Sequence, residues 1–318
     1  MSIQLGVVMD PIATITPYKD TTFAMILEAQ HRGWTVHYME LVDLFITDGV
    51  PCAHSRILTV QDTDQDWFEL GESQMIALDG LDIILMRKDP PADAAYIYAT
   101  QVLSLADSQG VLVANQPDAL RNWNEKLAIA RYPHCTPPTL VDQSMDRIRQ
   151  FVDAQKQAVL KPLDGMGGKS VFVTHIDDPN LNVIIETLTN HGQEMIMAQA
   201  YIPDISEGDK RIILIGGRPA AYALARIPQK GEGRANLAAG GKGVAIELTE
   251  RDRWICEQVA DDLLDAGLHF VGLDVIGDYL TEINVTSPTC VRELDAAHDL
   301  NICGQFFDYL TAILEFHG

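Results

Sequence analysis

The sequence is short of basic residues, and its acids outnumber them. Its 318 residues carry 23 Lys+Arg against 45 Asp+Glu, a formal charge of −22. A field of that sign repels the phosphates of nucleic acid and of anionic membranes. A nucleic-acid-binding protein and a membrane-surface protein are therefore excluded as first interpretations. With 47% hydrophobic residues, the chain can still bury cores in two or three lobes.

Long apolar runs and paired cysteines are also missing. The uncharged stretch over residues 94–106 has 13 residues, too few to cross a bilayer. Residues 1–4 contain no basic segment, so we expect no secretory signal. The five cysteines are odd in number and form no Cys-x-x-Cys pair, which argues against a disulfide framework or a zinc site. We therefore expect a protein of the reducing cytoplasm.

Short apolar runs alternate with helical patterns through the first 120 residues, which is typical of a parallel sheet covered by helices. The pattern predicts an α/β domain of Rossmann-like type. Residues 61–82 hold seven acids and no base, and we interpret them as a solvated loop and helix face. The predicted strands cover 3–9, 36–39, 81–86 and 111–114, and Asp48-Gly49 is a predicted hairpin turn. The predicted helices cover 21–33, 94–109 and 118–131, and Asp118 is the predicted N-cap of the third.

The pattern changes beyond a boundary near residues 116–136. Strands lie closer together there and glycine-rich loops join them, which predicts a mostly antiparallel α+β lobe. The sequence Thr249-x-x-Asp252 resembles a capping box that opens a helix to residue 266. The other expected elements are strands over 158–162, 171–174, 195–202, 211–215 and 220–227, a hairpin over 269–276 and 280–285, and helices over 181–190 and 301–316.

A glycine-rich loop over residues 164–170 suggests phosphate binding, but it fits neither common phosphate motif. A Walker A loop requires glycine where Leu163 stands, and a dinucleotide-binding G-x-G-x-x-G requires glycine where Ser170 stands. What remains is a flexible loop between strands whose backbone N–H groups could fold over an anion. A plain tight turn fits this loop equally well.

Basic residues are concentrated in one segment of this acidic chain. Residues 210–242 contain seven bases and one acid, and five glycines lie within 231–243. The glycines favour a mobile flap that closes on a ligand. A solvated surface is the simpler interpretation of such a segment, but Arg211 and Arg226 interrupt apolar strands. They therefore indicate a bound anion such as a polyphosphate.

Three oxygen donors lie on the predicted hairpin near the C-terminus. Glu282 and Asn284 are two residues apart and share a sheet face. A three-residue loop places Asp274 opposite Glu282, whereas a two-residue loop places Thr281 there instead. The set suits Mg²⁺, although an exposed polar hairpin face would carry the same residues. Lys161 ends a buried apolar run, where an ammonium group requires an anion, and Lys126 is a second candidate.

Two lysines, a glycine-rich loop, a basic flap and an oxygen-rich metal face describe a Mg-ATP site without a Walker A loop, as in the ATP-grasp ligases. The whole chain resembles the bacterial glutathione synthetases. The motifs that carry the resemblance are Val8-Met9-Asp10-Pro11, Met86-Arg87-Lys88-Asp89-Pro90-Pro91, Lys161-Pro162-Leu163-Asp164-Gly165-Met166-Gly167-Gly168, Asn236-Leu237-Ala238-Ala239-Gly240-Gly241, Phe270-Val271-Gly272-Leu273-Asp274 and Thr281-Glu282-Ile283-Asn284-Val285-Thr286-Ser287-Pro288-Thr289. The chain departs from the family pattern at Lys169, Gly233, Ala235 and Lys242.

The resemblance implies an enzyme that joins γ-glutamylcysteine to glycine with ATP, through an acyl phosphate. It implies a substrate-binding domain over 1–122, an ATP-grasp small lobe over 123–202 and a catalytic lobe over 203–318. It also implies two Mg²⁺ ions, with Mn²⁺ as a substitute, and a homo-oligomer, a tetramer in related enzymes. Small molecules are the expected partners, with no nucleic acid and no membrane.

The resemblance also assigns roles to single residues. Arg211 and Arg226 would be catalytic, and Arg87, Ser287 and Thr289 would contact the peptide. Asp274, Glu282 and Asn284 would hold metal. ATP would be bound by Lys126, Lys161, Gly165, Gly167, Gly168, Gln199, Ala200, Tyr201, Ile202, Asp209, Gly240 and Gly241.

Two other functions fit the same features. Another ATP-grasp carboxylate–amine ligase would share the ATP site and differ in its acceptor amine. A nucleotide-sensing or scaffold protein could keep the fold without turnover, although the intact oxygen triad argues against that.

Overall fold

A computed structural model describes residues 2–63, 65–229 and 240–317 of the chain. Three sheets take their strands from successive parts of the sequence, and helices cover their faces. None of the helices in these ranges is long and apolar enough to cross a membrane.

The first sheet has a parallel half and an antiparallel edge. Its order is β3-β4-β2-β1-β7-β8, with β5 and β6 paired to β4. Strands β2, β1, β7 and β8 run parallel, as predicted, while β3, β5 and β6 pair antiparallel with β4. The strands are Gln4–Val8 (β1), Thr35–Met39 (β2), Leu44–Thr47 (β3), Val50–Val60 (β4), Phe68–Leu70 (β5), Gln74–Ala77 (β6), Ile83–Met86 (β7) and Leu112–Ala114 (β8).

Three helices accompany this sheet. They are Thr21–His31 (α1), capped by the Asp20 side chain, Ala94–Ser108 (α2), capped by Asp93, and Pro117–Asn122 (α3). The apolar faces of α1 and α2 pack on the two sides of the sheet, because the parallel strands are buried on both faces.

The second sheet is antiparallel, in the order β11-β10-β12-β9. Its strands are Thr139–Asp142 (β9), Gln157–Pro162 (β10), Phe172–His175 (β11) and Ile196–Ala200 (β12). Helices Met145–Gln155 (α4) and Leu181–Leu188 (α5) cover one face with a separate apolar core that includes Ile148, Val152 and Ile185. The opposite face is free to line a cavity.

The third sheet is also antiparallel, in the order β16-β15-β13-β17-β18 with β14 beside β13. Its strands are Asp209–Ile215 (β13), Arg218–Pro219 (β14), Tyr222–Ile227 (β15), Lys242–Glu247 (β16), Phe270–Ile276 (β17) and Tyr279–Asn284 (β18). The remaining helices are Glu250–Asp265 (α6), Val291–His298 (α7) and Ile302–His317 (α8). The predicted capping box of Thr249 and Asp252 is present at the start of α6.

The side chain of Asn115 joins the first sheet to the third. Its Nδ2 donates to Phe270 O (2.8 Å) and Val285 O (2.7 Å), and its Oδ1 accepts from Phe270 N (2.8 Å). Asn115 follows β8 directly and is buried, so three hydrogen bonds hold the two sheets together at this point.

Several sequence predictions need correction. The predicted helix over 118–131 is two elements: α3 ends at Asn122, and a 3-10 helix covers Leu127–Arg131. Its cap is Gln116, whose side chain accepts from Asp118 N and Ala119 N, and not Asp118. Residues 61–63 and 65–82 contain β5 and β6, and no α-helix lies among them. The Asp48-Gly49 hairpin between β3 and β4 is confirmed.

Candidate active site

A cavity lies against the open face of the second sheet and the end of the third. Strand β10 contributes Lys161, β12 ends at the Gln199–Ile202 segment, and β13 begins with Asp209. The glycine-rich loop forms another wall. The predicted residues that line this cavity are Lys126, Lys161, Gly165, Gly167, Gly168, Gln199, Ala200, Tyr201, Ile202, Asp209, Asp274 and Glu282.

Two buried lysines face one carboxylate in this cavity. The Nζ atoms of Lys126 and Lys161 each lie 3.7 Å from Glu282 Oε1. Lys126 also donates to Gly165 O in the glycine-rich loop, and Lys161 donates to Thr281 O at 3.4 Å. Burial holds the pKa of Lys161 below its ordinary value, with Glu282 opposing that shift and Lys126 adding to it. A polyanion would relieve the repulsion between the two ammonium groups.

Four buried charges form a network beside the lysines. Asp274 Oδ1 accepts from Arg211 Nε at 2.5 Å, and Asp274 Oδ2 accepts from Arg211 Nη2 at 3.0 Å. Arg226 Nη2 lies 2.9 Å from Asp274 Oδ2 and 2.6 Å from Asp209 Oδ2. Burial disfavours the ionised form of Asp274, but the two guanidinium groups outweigh it and hold its pKa below the ordinary value.

The pKa of Asp209 shifts in the opposite direction to that of Asp274. Burial raises its pKa to about 6, although Arg226 acts in the opposite direction, and the charge of Asp274 adds to the rise. Its Oδ1 is buried and accepts no hydrogen bond within the described part of the chain. Because an unpaired buried oxygen is costly, this atom is suited to accept a hydrogen bond from a ligand hydroxyl in the cavity.

The three residues predicted to bind metal lie together on the last hairpin, which strands β17 and β18 form. Asp274 is the register partner of Glu282, and Asn284 is the partner of Gly272 on the same face. Asn284 Nδ2 donates to Gly272 O (3.1 Å), so its amide oxygen is the atom it offers to a cation. Two carboxylates and an amide are hard oxygen ligands of the kind that Mg²⁺ takes together with phosphate oxygens. In the described ranges, no group of three or more His, Cys, Asp or Glu side chains could hold a metal ion unaided.

A second cavity adjoins the first. The two share Glu282 and residues 165–167 of the glycine-rich loop. Arg211, Arg226 and Asn284 line the second cavity, as do the predicted peptide contacts Ser287 and Thr289. The lysines of one cavity and the arginines of the other therefore flank a common wall, where a group could pass between two ligands.

Three predicted site residues lie elsewhere. Arg87 is buried, donates to Thr22 Oγ1 (3.1 Å) and Pro288 O (2.9 Å), and lines neither cavity. Gly240 and Gly241 also line neither, although Gly240 O accepts from Gln229 Nε2 at 2.8 Å. Most of the predicted flap, residues 230–239, lies outside the described residues.

Sequence reasoning missed several acids of the second cavity. Asp10 and Asp89 follow the parallel neighbours β1 and β7, and Asp20 caps α1. The sheet order reverses between β1 and β7, and ligand crevices form at such points, which is a signal that could have found Asp10 and Asp89. Glu125 was also missed, and no local pattern identifies it.

The paired antiparallel sheets around these cavities define an ATP-grasp fold. D-cycloserine synthetase DcsG is similar in structure, with a TM-score of 0.67, 16% identity, and coverage of 98% of this chain and 99% of that one. The ATP-grasp ligase PsnB, in a complex with minimal precursor, Mg and ADP, has a TM-score of 0.62 and 16% identity over 98% of both chains.

The sequence comparisons are more specific. Residues 3–121 match the family "Prokaryotic glutathione synthetase, N-terminal domain", and residues 125–299 match "Prokaryotic glutathione synthetase, ATP-grasp domain". Glutathione synthetases of Pseudomonas putida and Vibrio cholerae are 56% and 55% identical, covering 99% and 98% of this chain and the same shares of theirs. The chain belongs to the prokaryotic glutathione synthetase family.

Proposed function

We propose that the chain joins γ-glutamylcysteine to glycine, with cleavage of ATP to ADP and phosphate, and so makes glutathione. Family membership supports the reaction. The structural observation that carries it is the wall shared by the two cavities, because this wall would let a phosphoryl group pass from ATP to a peptide carboxylate. The ATP-grasp lobes follow an N-terminal substrate-binding domain, with proposed boundaries at 1–122, 123–202 and 203–318.

ATP would occupy the first cavity. Lys126 and Lys161 would pair with its phosphates, and the backbone of the loop with Gly165, Gly167 and Gly168 would fold over them. Residues 199–202 would line the adenine, and the unpaired Oδ1 of Asp209 would accept from a ribose hydroxyl. Gly240 and Gly241, at the edge of the predicted flap, would approach ATP when the flap closes.

The oxygen donors of the last hairpin fit a metal bound with the nucleotide. Asp274, Glu282 and Asn284 would hold two Mg²⁺ ions, and Mn²⁺ would substitute. Bound metal would neutralise phosphate charge and keep the γ-phosphoryl group aligned.

The second cavity would hold the dipeptide. Its cysteinyl carboxylate attacks the γ-phosphorus, which gives an acyl phosphate and ADP, and the glycine amine then displaces phosphate from the acyl carbon. Arg211 and Arg226 would stabilise the charge on the acyl phosphate and on the tetrahedral oxyanion. Ser287 and Thr289 would contact the peptide, while Arg87 would hold their turn in place through Pro288 O.

The setting of the enzyme is also a proposal. All five cysteines are free thiols, which supports a reducing cytoplasm. The family resemblance supports a homo-oligomer, a tetramer as in related enzymes. The charge of −22 supports small molecules as the partners, and not nucleic acid or a membrane.

An assay of phosphate release tests the reaction. We expect release with Mg-ATP only when γ-glutamylcysteine and glycine are both present, and glutathione as the product. Other amines in place of glycine test the alternative acceptor. Release that does not depend on the thiol dipeptide would contradict the proposal, and nucleotide binding without any release would favour a sensing protein.

A further inference from the structure

Glu125 bonds to the segment that follows strand β18. Its Oε1 accepts from Val285 N (2.9 Å), Thr286 N (3.0 Å) and Thr286 Oγ1 (2.8 Å). Its backbone oxygen accepts from Ile283 N at 2.9 Å. Four hydrogen bonds accepted by this one residue therefore hold the stretch 283–286, which contains Asn284 and directly follows Glu282.

The neighbours of Glu125 in sequence bind the opposite wall of the site. Asn124 Nδ2 donates to Leu163 O (3.0 Å), at the start of the glycine-rich loop. Lys126 reaches Gly165 O and lies 3.7 Å from Glu282 Oε1. The tripeptide 124–126 thus connects the glycine-rich loop with the end of β18.

The bonds to Glu125 cannot easily be replaced. Three donors converge on a single oxygen of this half-buried carboxylate. Removal of the side chain would leave these donors without their partner, and the segment would have to move to satisfy them. Such movement would change where Asn284 and Glu282 present their oxygens.

We propose that Glu125 is a positioning residue for the metal site, which sets the separation between the oxygen donors of β18 and the lysines and loop that hold phosphate. This inference rests on the proposed function, because it assumes that Glu282 and Asn284 bind metal. Glu125 acts on the metal site through the segment that its hydrogen bonds hold, and not as a ligand of the ion.

The test is a titration of Mn²⁺ into the full chain with ADP present, by calorimetry, for wild type, Glu125→Ala and Glu125→Gln. Loss of an outer-shell partner typically weakens metal binding by about 10-fold to 100-fold. We expect at least about a 10-fold rise in the Mn²⁺ Kd for Glu125→Ala. Glu125→Gln keeps the accepting oxygen, so its Kd should stay within about 3-fold of wild type.

Two controls separate positioning from loss of structure. ADP binding without metal should be unchanged in Glu125→Ala, because the adenine and ribose contacts lie on other strands. Asp295→Asn alters another partly buried carboxylate that accepts from a backbone N–H, that of Ile302, and should leave the Mn²⁺ Kd at its wild-type value. If Glu125→Ala does not fold, Thr286→Val removes one of the three donors and should raise the Kd by a smaller factor.

An Mn²⁺ Kd for Glu125→Ala equal to that of wild type would overturn the inference. So would equal weakening in Glu125→Gln and Glu125→Ala together with lost ADP binding. The proposed reaction fails separately, if the wild-type protein binds Mn²⁺ and ADP but releases no phosphate with γ-glutamylcysteine and glycine.

Discussion

Asp274 lies opposite Glu282 across the last hairpin, although the loop between β17 and β18 has only two residues. A bulge makes this possible: Thr281 has no register partner, and the pairing resumes one residue later. Thr281 Oγ1 donates to Asp274 O at 3.1 Å, which ties the bulge to the partner strand. The two carboxylates thereby share the face of the hairpin on which we propose that metal binds.

The first prediction concerns Glu282. Glu282→Gln removes the charge that faces Lys126 and Lys161 and weakens a proposed metal ligand. We expect kcat for glutathione formation to fall by at least about 100-fold, as is typical when transition-state charge stabilisation is lost. Steady-state kinetics measure this, with Glu186→Gln on the exposed side of α5 as the control. Turnover at the wild-type rate would exclude a role for Glu282 in catalysis.

A second prediction concerns the buried charges around Arg226. Arg226→Met leaves Asp209 and Asp274 short of a partner, and breaking a buried pair costs about 3–5 kcal/mol. We expect a loss of that size in the free energy of unfolding, measured by urea denaturation. Adding Asp209→Asn should restore part of it, because one unpaired charge is then absent. Strictly additive effects would show that Arg226 and Asp209 do not interact.

The third prediction is a pH dependence that arises from His269. Burial lowers its pKa from 6.5 to about 4, and its Nδ1 lies 3.0 Å from Tyr309 Oη. The unfolded chain therefore takes up a proton between pH 6.5 and 4 that the folded protein resists, so stability falls as pH falls through this window. This titration lowers the free energy of unfolding by about 3 kcal/mol between pH 7 and pH 4.

His269→Asn isolates that contribution, because asparagine cannot titrate and can still bond to Tyr309. We subtract the unfolding free energy of the variant from that of wild type, each measured by urea denaturation. This difference should be about 3 kcal/mol smaller at pH 4 than at pH 7, because only wild type loses the contribution of His269. Comparing the two proteins cancels the acids that titrate in the same range, such as Asp209. A difference that does not change with pH would contradict the predicted titration.

The fourth prediction concerns Arg87, which contacts neither cavity but fixes the turn that contains Ser287. Arg87→Lys cannot keep both hydrogen bonds, to Thr22 and to Pro288 O, because lysine lacks the planar fork of arginine. We expect the KM for γ-glutamylcysteine to rise about 10-fold, which corresponds to about 1.4 kcal/mol. The KM for ATP should stay within about 2-fold. An equal rise in both values would point to a general loss of structure.

Local patterns explain which elements the sequence could predict. The parallel strands, the Asp48-Gly49 turn and the Thr249 cap depend on a few adjacent residues and are confirmed. Helix α4 was missed although Ile148 and Val152 form an apolar stripe four residues apart. Helix α7 has no such signal at its start, because Cys290 is its N-cap, has a φ of 88° and provides no side-chain cap.

The pairing of the β17–β18 hairpin and the contacts of Glu125 could not be predicted from local sequence. The sequence left two loop lengths open, and the structure has the shorter loop together with the pairing expected from the longer one, because of the bulge at Thr281. Glu125 binds residues about 160 positions further along the chain. Motif and periodicity rules relate residues that are close in sequence, so a contact over this separation can be identified only in the folded molecule.

The bonds of Asn115 to Phe270 and Val285 limit how this chain can exchange parts with its relatives. A chimera that takes its first domain from a homologue would place the homologue's residue at position 115 against the third sheet of this chain. It would keep the three hydrogen bonds of Asn115 only if that residue were also an asparagine. Recombination between distant members of the family should therefore succeed more often when the crossover falls after residue 286, so that Asn115 and both of its partners are inherited together.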